Sequence, residues 1–214
     1  MAQGSLFLNL VCCKLNGVLW VTSTIASSSD ERIKTNINDI IDDSALQKIL
    51  QIQPKTYEYI DKIQKGTDKV YGFIAQQIKE IIPEAVNIEK SLIPNIYSIC
   101  DCSSNIINLQ SSNIEKIKIN DKISIIEENK NINSYIITDI IKETNQIKIN
   151  SNLESSKCFV YGTEIDDFHT LDKSYIYTLN VCATQELYRQ IQEQKTKIDN
   201  LQMQIDELKQ LINK

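Results

Sequence analysis

Hydrophobic and polar positions follow one another along this chain in rhythms that change from segment to segment, and each rhythm predicts an element. In "DDSALQKILQIQP", Leu46, Ile49 and Leu50 fall on one helical face, Ser44 and Gln47 have capping-box spacing, and Pro54 stops the helix. "KTYEYI" alternates and predicts a short strand, followed by a turn around Gly66 in "KGTDKV". "YGFIAQQIKEIIPEAV" starts extended and becomes helical. Ile74, Ile78, Ile81 and Ile82 stand at i, i+4, i+7 and i+8, and Pro83 ends the run. From residue 91 to 164 the period shortens to two. "KIKINDKISII", "SYIITDII" and "QIKINS" alternate between polar turns and predict several short antiparallel strands inserted in the domain.

The C-terminal segment has the longest regular pattern. Leu187, Ile191, Gln194, Ile198, Leu201, Ile205, Leu208 and Ile212 step by four and three, a heptad with Ile at a and Leu at d. A helix docked on its own domain would carry a wider apolar stripe, so this narrow seam predicts a self-associating coiled coil over residues 187–214. Gln194 is the polar residue in the seam and is of the kind that fixes register.

Composition narrows the chemistry. A hydrophobic fraction of 42% in 214 residues supports a packed core, and a net charge of -5 leaves no basic surplus for phosphates, so no nucleic-acid partner is expected. His169 is the single histidine, which disfavours His-based triads and His-rich metal sites. Cys12, Cys13, Cys100, Cys102, Cys158 and Cys182 form no CxxC pair, so reduced thiols, no metal and no cofactor are expected. The apolar run "SLFLNLVCCKLNGVLWVTSTIA" lacks a preceding positive charge and is broken by Asn9, Lys14 and Asn16. It is too broken to span a membrane, and because "GVLWVTSTI" has the composition of a strand it reads as the end of a β-rich upstream element, with a secretory signal as the alternative.

Between these patterns lies "IASSSDERIKTNI". Two readings of it are open: an exposed linker, or a serine nucleophile with a lysine as its base. A serine hydroxyl needs a base, and without a nearby histidine a neutral lysine is the next candidate. Distance constrains the second reading. Residues five apart point in different directions on a helix, and on a strand they lie about 16 Å apart on opposite faces. Ser29 and Lys34 thus meet only if "DERI" folds back as a turn, or if the lysine comes from a neighbouring chain.

"SSDERIKTNI", "PKTYEYI" with "YGFIAQQIKEIIPEAV", and "LNVCATQELYRQIQEQ" running into the heptads resemble, in order and spacing, the endosialidase-type intramolecular chaperone domain. That domain is also classified as serine peptidase family seventy-four. The inserted stretch with "FVYGTEIDDFHTLDKSYIYTL" is similar to versions encoded by giant DNA viruses. The resemblance implies a domain that trimerises a β-rich viral fibre or tailspike and then cuts itself off at the serine of an SDxRxK motif. By position, Ser29 is then the nucleophile, Ser28–Ser29 the scissile bond, Lys34 the basic partner, and Asp30 and Arg32 the supporting motif residues. Ile at a with Leu at d favours two strands, whereas the family is trimeric; the trimer is expected here.

The resulting expectation is an α+β fold: a helix-rich chaperone domain with a β-rich insertion and a C-terminal coiled-coil helix, trimeric. Residues 1–27 are read as the remnant of an upstream β-rich fibre element, 28–195 as the chaperone and autoprotease domain, and 91–164 as the insertion within it. The expected partners are two further copies of the chain and a viral fibre client, with no membrane, in the virion or the host cytoplasm. The alternative is a non-cleaving trimerisation cap of a virion protein.

Overall fold

The computed structural model describes residue 22 and residues 27–128 and 131–212. The strand expected at "GVLWVTSTI", the fibre remnant at 1–27 and the pair Cys12–Cys13 fall almost wholly outside the described residues. The chain divides into two units, residues 1–39 and 40–214.

In the first unit the described stretch carries one 3-10 turn, Glu31–Ile33, and a bend at Asn36, whose φ of 52 is left-handed. Every residue from 27 to 39 is exposed.

The second unit opens with α1 (Asp42–Gln51), whose Ala45 and Leu46 are buried. Ser44 does not cap this helix. The N-cap is Ile41, without a side-chain cap, and Asp42 and Asp43 occupy the first turn, where the positive end of the helix dipole favours them. The strands β1 (Lys55–Tyr57) and β2 (Val70–Gly72) pair antiparallel around the short helix α2 (Lys62–Lys65). Gly66 follows α2 at φ 82, a left-handed angle that favours glycine. The helix α3 (Ala75–Ile81) then puts Ile78 into a small core with Ile82, Ala85 and Ile176, flanked by Ile49, Ile52, Phe73 and Leu171. Pro83 stands at the first turn of a 3-10 segment, where its missing N–H costs nothing.

The largest part of the fold is a β-barrel. The strands are β3 (Val86–Ile93), β4 (Ser98–Ser103), β5 (Ile106–Asn108), β6 (Lys122–Glu127), β7 (Ile132–Ile141), β8 (Gln146–Ile149) and β9 (Lys157–Leu171), with a one-turn helix α4 (Ser111–Ile114) before β6. They run in the order β3-β9-β4-β5-β8-β7-β6, and β6 also pairs with β9, so the six strands from β4 to β9 close on themselves. All pairings are antiparallel, with Cys100 opposite Cys158, Ile107 opposite Ile147 and Ser124 opposite Ser134. Alternation points Ile107, Ile123, Ile125, Ile137, Ile147, Ile149 and Val160 inward, each at most 1% exposed. Closure needs the strands to bend, and register shifts occur at Ser124/Ile125 and Ile137/Asp139. Gly162 lies where β9 leaves the barrel; a Cβ there would stand 2.0 Å from the Ile93 carbonyl oxygen.

Beyond Gly162, the second half of β9 pairs with β3 from Thr163 to Leu171. The chain then enters α5 (Ser174–Ile212), a single helix of 39 residues packed near its start against α1. The expectation of a helix-rich domain is corrected by this architecture. Among the described residues, α-helix apart from α5 is confined to α1, α3 and the short α2 and α4, while the closed barrel forms the larger core. The excess of Ile on the alternating segments explains this: β-branched side chains lose little in a pleated strand and fill both the wall and the interior of a barrel.

Candidate functional site

The turn at Glu31–Ile33 is built by Asp30. Its carboxylate oxygen Oδ1 accepts the backbone N–H of Arg32 at 2.8 Å, as an N-cap aspartate does. The chain folds back through the bonds from Ile33 N to Asp30 O, 3.3 Å, and from Lys34 N to Glu31 O, 3.0 Å. The Arg32 guanidinium doubles over the same carboxylate, donating Nε to Oδ1 at 3.0 Å and Nη2 to Oδ2 at 2.7 Å. Asp30 is held below the ordinary carboxylate range, first by this side-chain pairing and then by the Arg32 N–H, and Arg32 is raised by the same pair.

With the chain folded back, Lys34 Nζ donates to Ser29 Oγ at 2.8 Å. The turn thus brings these two residues together within one chain. Ser28, Ser29, Asp30, Arg32 and Lys34 are all exposed, and the apolar neighbours Ile33 and Ile37 are 68% and 62% exposed. A short Asx-type turn accounts for the five-residue spacing, and the signal for it was Asp30 two residues before Arg32.

The seam residues Leu187, Ile191, Gln194, Ile198, Leu201, Ile205, Leu208 and Ile212 all lie on α5 and are all exposed in the single chain. The face of α5 that docks on its own domain carries Ile176, Ala183 and Glu186 instead. Glu186, 2% exposed, receives Arg189 and Gln190, and their hydrogen bonds lower its carboxyl.

Sequence reasoning missed a buried polar junction in the second unit. Asp61, 5% exposed, caps α2 through the Gln64 N–H, and it also accepts the phenols of Tyr97, 3.1 Å, and Tyr161, 2.9 Å. Burial pushes this carboxyl up, but the hydrogen bonds from Gln64, Tyr161, Tyr97 and Ile63 outweigh it and leave it lowered. Tyr161 is pushed up to about 12 by burial and by the carboxylate. Its partners lie too far apart in sequence for any local pattern to reveal them.

Two other groups bear on chemistry. His169 lines an open cleft of about 580 Å3 with Tyr57, Phe73, Gln76, Phe168 and Lys173, and its buried Nδ1 is without a hydrogen-bond partner among the described residues. Cys100, Cys102 and Cys158 are free thiols inside the barrel, and burial raises all three, which keeps them poor nucleophiles.

Comparison with known proteins bears on the first of these sites. The chain is 28% identical over 232 aligned residues to the uncharacterised protein VP1 of Micromonas pusilla reovirus (isolate Netherlands/2005). The match takes in 84% of this chain and 12% of that viral protein, so the chain spans about an eighth of its relative's length. Residues 29–87, which begin at the serine of the turn and run through α1, the β1–β2 pair and α3, match the family described as the chaperone of endosialidase.

Proposed function

We propose that this chain is an intramolecular chaperone of a viral fibre-like protein that assembles its client as a trimer and then releases itself by cutting before Ser29. The observation that carries this reading is the 2.8 Å contact between Lys34 Nζ and Ser29 Oγ in one chain, at the first residue of the family match. Two reactive groups in hydrogen-bond reach are what nucleophilic catalysis by a serine requires.

In the proposed reaction Lys34, in its neutral form, takes the proton of Ser29 Oγ, and the oxygen attacks the carbonyl carbon of Ser28 through a five-membered ring. The Ser28–Ser29 amide bond breaks and its nitrogen leaves as the amine, taking up a proton. An ester then joins the Ser28 carbonyl to Ser29 Oγ. Water hydrolyses this ester, giving a carboxylate on Ser28 and a free amine and hydroxyl on Ser29. Asp30 and Arg32 hold the turn and touch no reacting atom. The seam of α5 would bring three copies together, with Gln194 setting their register.

The reading is tested by variants of the full chain. Ser29→Ala abolishes cutting. Lys34→Ala slows it severely, and Lys34→Arg does not rescue it, because a guanidinium keeps its proton. Because both groups lie on one chain, folding Ser29→Ala chains together with Lys34→Ala chains yields no product. Product from that mixture would mean that the lysine acts on a neighbour's serine.

A second reading, a non-cleaving trimeric cap of a virion protein, is favoured by one observation: residues 27–39 are exposed throughout, so nothing in the described stretch shields the pair from water. A folded wild-type chain that stays intact would favour the cap.

A further inference from the structure

The carboxylate of Asp30 lies four residues before Lys34 in sequence. Asp30 adjoins Ser29, and the turn brings residues 29 and 34 together. A carboxylate so placed is the natural partner of an ammonium, and pairing with it would stabilise the protonated amine and draw it from the hydroxyl. The structure shows another arrangement. Both oxygens of Asp30 are engaged by Arg32, through its backbone N–H and through two nitrogens of its guanidinium, while Lys34 Nζ lies on Ser29 Oγ. Guanidinium matches carboxylate in a two-pronged fork and stays charged, so it outcompetes an ammonium for this partner. The titratable groups of the described stretch 27–39 are Asp30, Glu31, Arg32, Lys34 and Asp39, all exposed.

We propose that Arg32 is a positioning residue that occupies the Asp30 carboxylate and so keeps it from capturing Lys34, leaving the amine to Ser29. Asp30 has the complementary part: its Oδ1 caps the turn, and that cap needs an oxygen but not a charge. This inference rests on the Ser29–Lys34 reading for its consequence in cutting, but the pairing preference itself does not.

The test separates the two. In the full chain, Arg32→Gln leaves the Asp30 cap in place and frees the carboxylate. Cutting near neutral pH falls about two- to fivefold and its pH–rate profile moves to higher pH, by an amount set by an exposed ion pair. The shift shrinks as salt is raised. The double variant Asp30→Asn with Arg32→Gln keeps an oxygen at the cap, removes the charge, and returns both rate and profile close to the wild type. Slower cutting without a profile shift, unrelieved in the double variant, would overturn the inference and leave Arg32 a merely structural residue. If the wild type does not cut at all, the proposed function fails and the inference is still decided. An NMR titration of the Lys34 side chain in Ser29→Ala chains should move to higher pH on adding Arg32→Gln, and back with Asp30→Asn. No movement would overturn it.

Discussion

The turn at residues 27–39 and the barrel from β4 to β9 hold their shapes by opposite means. In the turn nothing is buried, and its form comes from six hydrogen bonds within residues 29–34: two backbone–backbone, three that Arg32 donates to the Asp30 carboxylate, and one from Lys34 to Ser29. In the barrel, Ile107, Ile123, Ile125, Ile137 and Ile147 are almost wholly removed from water, and pairing runs around a closed ring of strands. The difference teaches where each kind of mutation acts. Burial supplies stability, since each large apolar side chain taken from water is worth about 1.5–3 kcal/mol. Local polar geometry holds the contact of Lys34 with Ser29, at almost no cost in burial. Cutting and stability should therefore come apart under mutation.

Assembly gives the largest expected effect. Changing Ile198 and Ile205 to Asp should disrupt self-association, because charge would be buried in the seam without a partner, and light scattering should report a smaller species. Both residues are exposed in the single chain, so its melting by circular dichroism in the barrel region should change little. A stable monomer for the wild type would break the trimer expectation.

Within the barrel, Ile147→Ala removes a side chain at 0% exposure and should lower stability by about 2–5 kcal/mol in urea denaturation. Refolded protein should still cut at the wild-type rate. If cutting falls with stability, the separation of the two regions is wrong.

The junction at Asp61 sharpens the comparison through pH. Its folded carboxyl is lowered relative to the unfolded one, so its contribution is fully present above the ordinary carboxylate value of about 4. That contribution is lost as pH falls through the lower folded value. Asp61→Asn should cost about 1–3 kcal/mol at neutral pH and flatten the acid limb of the stability curve. At the small end, Lys90→Ala breaks surface pairs with half-buried Glu164 and exposed Asp166 and should change the denaturation midpoint little.

What could be read in the sequence follows the range of the forces involved. The helix at Asp42–Gln51, the strand at Lys55–Tyr57, the turn at Gly66 and the helix at Ala75–Ile81 were all legible, because their signals lie within a few residues. The capping box at Ser44 was misread: two acidic residues at the helix start replaced a side-chain cap. Barrel closure was not legible. Alternating Ile marks a strand but does not name its neighbour, and β9 pairs with β3, β4 and β6 at once. That silence on partners also led to the overestimate of helix. The contact of Ser29 with Lys34 was half legible, since spacing excluded a regular segment and left the turn as one of two routes. The Asp61 junction spans up to 100 residues and left no local trace.

In the proposed reaction Ser29 and Lys34 of one chain cut the bond before Ser29. Intact-mass measurement on freshly folded wild-type protein, beside Ser29→Ala prepared in the same way, tests it most directly. Wild-type protein should give a product of residues 29–214 with a free amine on Ser29, and the Ser29→Ala chain should stay uncut. An unchanged full-length mass in folded wild-type protein, or the same product from Ser29→Ala, would contradict it.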